Sequence, residues 1–324
     1  MKEEILRLLR SADGYISGQE LCNRFGVSRT AVWKAINQLK EAGYEIEAQQ
    51  NKGYKLMAAP DLMTEAEIKS LMHTDWVAKE VLYFDTIDST NIKAQELAEK
   101  GYPSGTLVVA DKQESGKGRR GRSWVSPSGT GIFMTLMIKP DINPNNASML
   151  TLVAALAVAK AITSVTGEEA LIKWPNDIVV NSKKVCGILT EMTSAGPVMG
   201  IGINVNQSED GFPPELRNIA SSLKIIRKRE FCRAQIIAAV IEELDLINAG
   251  FPEKREEYLK EYRENCAVIG EEISIERGEE IKKGRAVEIA ENFGLEVIFE
   301  DGEREVITGG EVSVKGFYPA NNTK

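Results

Sequence analysis

Residues 173–191 read KWPNDIVVNSKKVCGILTE. Three short apolar runs, at 171–173, 178–180 and 185–189, are separated by Trp174-Pro175-Asn176-Asp177 and by Asn181-Ser182-Lys183. Links this short join antiparallel neighbours, because a parallel crossover needs a dozen residues or more. The stretch therefore predicts a mixed or antiparallel sheet and argues against a doubly wound parallel one. Further strands are expected at 81–84, 107–110, 131–138 and 198–205, and helices at 89–100, 145–165, 230–248 and 253–264. Together they make an α+β domain over 63–269. From Gly270 the pattern turns all-β, with short runs at 272–275, 285–290, 295–299 and 304–308 between Gly-containing turns. A small C-terminal β-barrel over 270–324 is expected.

The first 60 residues follow a different rule. Ile5, Leu6, Leu8 and Leu9 share a helical face, and Ser17-Gly18-Gln19-Glu20 is a capping box opening a second helix. Phe25-Gly26-Val27 turns into Ser28, the N-cap of a third helix that turns Val32, Ala35, Ile36 and Leu39 inward. Two strands around Gln50-Asn51-Lys52 complete a winged helix-turn-helix over 1–60, and Ala58-Ala59-Pro60-Asp61 reads as a linker. Thr30, Lys34 and Asn37 point away from the apolar stripe, flanked by Arg29 and Trp33. With Ser28 and wing residue Lys52, they suit phosphate and base-edge contacts. A plain solvated face is the alternative.

The 324-residue chain carries 40 Lys and Arg against 48 Asp and Glu, a net charge of −8. A chain so acidic does not coat nucleic acid through its overall field. The charge is uneven, however. Residues 1–59 hold nine basic and seven acidic side chains, whereas 268–324 hold seven and thirteen. Four cysteines without CxxC spacing and a single histidine, His73, speak against a zinc centre, a disulfide scaffold and a Ser-His-Asp mechanism. The apolar stretch at 149–159 reads as too short to span a bilayer before Lys160, and Met1-Lys2-Glu3-Glu4 reads as acidic rather than as a basic-then-apolar signal sequence. A cytoplasmic protein without a membrane partner is expected.

Residues 112–122 hold five basic side chains and one acid, and Gly116, Gly118 and Gly121 let the backbone approach a ligand. Such a loop neutralises phosphate or carboxylate and is expected to order over it, although basic runs are commonly just solvated. It is not a GxxxxGK[ST] phosphate loop. Lys173 ends a strand beside an apolar run, where a charge is costly unless paired. Gly200 and Gly202 lie within a strand, as glycines do where something closely approaches the backbone. Asp88-Ser89-Thr90-Asn91 adds polar donors at a helix start. Together these marks suit an adenylate.

In motif and in order, the chain resembles the biotin protein ligases of the bifunctional bacterial type, which also repress biotin genes. DSTN at 88–91, GKGRRGR at 116–122, KWPND at 173–177, KKVCGILTE at 183–191, GIGINVN at 200–206 and the winged helix carry the likeness. The resemblance implies a class II aminoacyl-tRNA synthetase-like catalytic domain. It implies ATP with Mg2+ as reactants, biotin as substrate, and biotinyl-5′-AMP as intermediate and corepressor. It also implies transfer to a lysine of a biotin carboxyl carrier protein, binding to operator DNA and ligand-promoted homodimerisation.

By resemblance, Ser89, Thr90, Asn91, Gln113, Gly116, Lys117, Arg119, Lys184 and Gly187 face biotin. Arg119, Arg120, Arg122, Trp124, Lys173, Asn176 and Asn204 face the adenylate. Lys184, Arg119 and Asp177 are the expected catalytic groups, Asp177 serving the metal or the incoming lysine; the metal ligands are not assigned. The loop departs from the family pattern at 117, where Lys replaces the usual Arg and supplies no planar fork. A ligand-sensing repressor without ligase activity and a lipoate-type ligase on the same fold stay open as alternatives.

Overall fold

The computed structural model describes residues 1–138, 147–250, 253–277, 280–308 and 311–314. It divides into two compact units: residues 1–73 with 232–238, and residues 74–231 with 239–324.

In the first unit, α1 (Lys2–Ser11), α2 (Gly18–Phe25) and α3 (Arg29–Glu41) close on Leu6, Leu21, Val32, Ile36 and Leu39. Ser17 Oγ accepts from the Glu20 amide at 3.1 Å and Ser28 Oγ from the Ala31 amide at 3.3 Å, so both expected caps are made. Strands β1 (Glu45–Gln49) and β2 (Gly53–Ala58) pair antiparallel as the wing. Gly53 at φ +116 is obligatory there, since a Cβ would lie 2.0 Å from the Ile16 carbonyl oxygen.

Two features beyond the wing tie the chain down after residue 58. Helix α4 (Glu65–Leu71) packs on α1, and its Glu67, fully buried, pairs with Arg10 Nη2 at 2.5 Å and accepts from Tyr44 Oη at 2.5 Å. Asp61 accepts from the Arg233 amide at 2.8 Å and from its Nε at 2.7 Å. The segment is thus pinned, because buried charges are kept only when paired.

The second unit is built on a seven-stranded mixed sheet. Its strands are β3 (Val81–Ile87), β4 (Leu107–Gln113), β5 (Gly131–Met137), β6 (Leu171–Lys173), β7 (Asp177–Val180), β8 (Lys183–Thr193) and β9 (Gly196–Asn204). The order is β3-β4-β5-β9-β8-β7-β6, and only β3 and β4 run parallel. Helix α5 (Thr90–Glu99) connects that parallel pair. The turn that decides the antiparallel half is Asn181-Ser182, at φ +50 and +60, the two left-handed residues a tight hairpin needs.

Helix α6 (Ala147–Thr166) lies on β6 to β9. By length and composition its 149–166 stretch is long and apolar enough to cross a membrane, so the expectation that Lys160 cuts it short does not hold. That stretch is 56% buried, and Lys160 is held by Glu243 at 3.4 Å and Glu261 at 3.2 Å. Helix α7 (Leu223–Arg227) is short; α8 (Arg233–Gly250) and α9 (Arg255–Glu264) follow.

The C-terminal strands are β10 (Glu272–Arg277), β11 (Glu280–Ile289), β12 (Leu295–Phe299), β13 (Arg304–Ile307) and β14 (Glu311–Val314). They form an antiparallel five-stranded sheet in the order β13-β12-β11-β10-β14. Trp174 Nε1 donates to the Phe293 carbonyl at 3.1 Å, and Tyr262 meets the Phe293 ring edge-on at 6.3 Å. These aromatics are buried together within the second unit.

Candidate active site

A cleft of about 1450 Å³ opens over β5, β9 and β8 of the second unit. Its floor is bare backbone. A Cβ on Gly187 would lie 2.9 Å from the Trp124 ring, and one on Gly202 would lie 2.7 Å from it, so the two glycines make room for the indole. Trp124 Nε1 is buried without a hydrogen-bond partner. Lys184 Nζ sits 5.4 Å from the Trp124 ring centroid and forms an ion pair with Asp177 Oδ1 at 2.7 Å. Both charges are largely shielded from water, at 23% and 14% side-chain exposure, which strengthens their mutual field.

The 116–122 loop is folded on itself. Gly118 N donates to the Arg122 carbonyl at 2.7 Å, and Trp124 N donates to the Gly116 carbonyl at 2.8 Å. Arg120 at φ +54 and Gly121 at φ +73 form its tip. Gly116 cannot be replaced cheaply, since a Cβ would come within 2.4 Å of the Trp124 carbonyl oxygen. From this loop Arg119 Nη1 donates to Asn176 Oδ1 at 2.7 Å, while Asn176 Nδ2 donates to the Ile188 carbonyl at 3.1 Å. The loop is thereby tied to the KWPND turn.

A polar wall stands at the start of α5. Gln113 Oε1 accepts from Thr90 N at 2.8 Å, and Gln113 Nε2 donates to Ser126 Oγ at 2.9 Å. Ser89, Thr90 and Asn91 are all buried. Cys186 is also fully buried, and burial pushes its thiol up, above the range in which a thiolate nucleophile forms.

Residues 83–208 match the biotin/lipoate A/B protein ligase family, and residues 2–55 match an HTH domain. The chain is 44% identical over 247 residues to the bifunctional ligase/repressor BirA of Bacillus spizizenii, covering 74% of this chain and 76% of that one. It is 31% identical over 209 residues to the protein of the same name from Escherichia coli, covering 62% and 63%. The structure of the Aquifex aeolicus biotin protein ligase in complex with biotin and ATP aligns at TM-score 0.66 and 32% identity, over 73% of this chain and 98% of that one. The chain belongs to the bifunctional biotin ligase/repressor family.

Of the residues that the family motifs single out, Ser89, Thr90, Asn91, Gln113, Lys117, Arg119, Arg120, Arg122 and Trp124 line the one cleft. Lys173, Asn176, Asp177, Lys184, Gly187 and Asn204 line it too. Gly116 lies behind Trp124 rather than on the lining. Asn91 spends both ends of its amide inside the protein, on Thr135 and Glu191. Sequence reasoning did not single out Gln207, whose buried Oε1 lacks a partner, nor Phe133, Ser126, Thr135 or Glu191. The C-terminal sheet also reaches the lining through Ser274, Lys283 and Arg285, which no motif marked. No described group of three or more His, Cys, Asp or Glu is arranged to hold a metal.

In the first unit, Ser28, Arg29, Thr30, Trp33, Lys34 and Lys52 are exposed and Asn37 is half-buried. Trp33 is 55% exposed, a large cost for a helix face that meets only water. Arg29 is fixed by Gln19, whose Oε1 accepts from its Nη2 at 2.8 Å, and Lys52 lies 5.6 Å from the Tyr15 ring centroid.

Proposed function

We propose that this chain joins biotin to ATP in the cleft and passes the biotinyl group to a lysine of a biotin carboxyl carrier protein. The observation that carries this reading is the gathering of Arg119, Arg122, Lys173 and Lys184 around the same space as the Thr90–Gln113 wall. A carboxylate and a triphosphate repel each other, and cations fixed around both lower that cost and stabilise the charge of the in-line transition state. A biotin carboxylate oxygen attacks the α-phosphorus; the bond to the β-phosphate oxygen breaks and pyrophosphate leaves. The carrier amine then attacks the acyl carbon of biotinyl-5′-AMP, gives up a proton and expels AMP.

Lys184 serves both anions at the reacting end. Arg119, Arg120 and Arg122 hold phosphates, Trp124 stacks near the adenine, and Asn176 and Asn204 meet its edge. Mg2+ fits here as the ion carried by ATP, since the described residues of the cleft offer single carboxylates such as Asp177 rather than a cage.

The second half of the reading is repression. The exposed face of α3 and the wing bind operator DNA, biotinyl-5′-AMP is the corepressor, and two copies pair to match a two-fold site. Intact-mass measurement of a carrier domain incubated with the chain, ATP and biotin tests the ligase half. Addition of one biotinyl group is expected, and unchanged mass with biotin but a gain with lipoate would reassign the substrate. A gel shift on the chain's own promoter region tests the repressor half; retardation that ignores biotin and ATP would contradict it.

A further inference from the structure

Two hydrogen bonds aim a cation at the start of α3. Arg29 Nε and Nη2 both donate to Gln19 Oε1, at 3.2 Å and 2.8 Å, on the first turn of α2. Gln19 is itself set by Asn23, one turn further along α2, whose Oδ1 accepts from Gln19 Nε2 at 2.8 Å. Arginine has no acceptor, so the amide can be placed only one way, oxygen towards Arg29 and nitrogen towards Asn23.

A guanidinium has two edges that grip a pair of acceptors in parallel, one along Nε and Nη2 and one across Nη1 and Nη2. Gln19 takes the first and leaves the second. Arg29 is exposed, and among the described residues no carboxylate pairs with it. Its partner is a neutral amide, so the side chain is oriented without being neutralised.

Guanine presents N7 and O6 side by side in the major groove, and the remaining edge of Arg29 matches that pair. A phosphate accepts from many directions, so a pinned fork gains little there. On a base edge the pin lowers the ordering cost of binding. Arg29 is the first residue of α3, and N-terminal residues of a recognition helix are the ones that meet base edges. Lys34 and Lys52, also exposed in this unit, are point charges without such a fork.

We infer that Arg29 reads a guanine and that Gln19, with Asn23 behind it, is the positioning residue that aims its fork. The inference rests on the repressor reading above. It adds to that reading a base, an edge of that base and two residues that act through Arg29.

The test is a gel shift with the full chain, biotin and ATP on a fragment of its own promoter region. The same fragment is also made with single guanines of the protected stretch replaced by 7-deazaguanine, which removes N7 and keeps base pairing. At least one replacement is expected to weaken binding by roughly 5-fold or more, within the range of one bidentate base contact. Arg29→Lys keeps the charge without the fork and abolishes the sensitivity at that guanine. Gln19→Ala frees the fork and shrinks the sensitivity by about twofold or more. Gln19→Glu still accepts from Nε and Nη2 but neutralises them, so binding weakens on every probe while the discrimination stays.

Thermal melts confirm that each variant folds, and either position suffices if the other does not. Equal sensitivity in Arg29→Lys and the parent, or full sensitivity in Gln19→Ala, overturns the inference. So does a parent indifferent to every 7-deazaguanine, which would make Arg29 a phosphate contact. Absence of biotin-dependent retardation in the parent instead removes the repressor reading.

Discussion

Gly200 leaves no space for a side chain beside Asn91, and the same is true of Gly187 and Gly202 beneath Trp124. Gly200→Ala is expected to displace Asn91 and raise KM for biotin by roughly 10-fold or more, with some loss of stability from overpacking, about 1–3 kcal/mol; steady-state kinetics and a thermal melt check it. Lys184→Ala removes the ammonium that the cleft places between Asp177 and Trp124. Its expected effect is a fall in kcat of roughly 100- to 1000-fold, the usual size for losing one preorganised charge from a transition state. Residues of this kind were legible in sequence because charge and glycine are conspicuous where a strand should be apolar. Thr135 and Glu191 were not, since a lone Thr or Glu within a strand looks like any other until the fold brings β5, β8 and α5 together.

Among the elements, the 173–191 stretch was readable because Asn181-Ser182 is a hairpin turn in itself. Helix α4 was not, because a seven-residue helix that turns a glutamate inward breaks the apolar pattern on which such readings depend. A partner 57 residues away, Arg10, stabilises that glutamate. The 116–122 loop is expected to become protected when it closes over biotinyl-5′-AMP. Limited proteolysis with biotin plus ATP should slow cleavage between Gly116 and Arg122, and equal cleavage in both states would contradict closure.

On α8, Asp245 accepts from the amides of Asp75, Trp76 and Val77. Burial pushes its carboxyl up, but those three donors and Lys79 outweigh it and hold it below the usual carboxylate range. Its contribution to stability is therefore complete above the unfolded value, near pH 4, and is lost as pH falls through the lower folded value. Melts taken from pH 7 to pH 3 should show a shallower acid loss in Asp245→Asn than in the parent.

Over the whole molecule, the net charge of −8 concealed its own distribution. The mildly basic 1–59 segment carries the exposed α3 face, while Lys117, Arg119, Arg120 and Arg122 line the ligase cleft. DNA affinity is therefore expected to be weak without ligand and to fall with added salt, as counterion release requires. Trp33→Ala should weaken operator retardation in a gel shift while leaving pyrophosphate release unchanged.

Activation of biotin in the cleft precedes every later step, and pyrophosphate release measures it before any carrier or DNA is involved. The full chain with ATP should release pyrophosphate on addition of biotin and not of lipoate, and Lys184→Ala should release it at least roughly 100-fold more slowly. No release with biotin, or equal release from Lys184→Ala, would contradict the account.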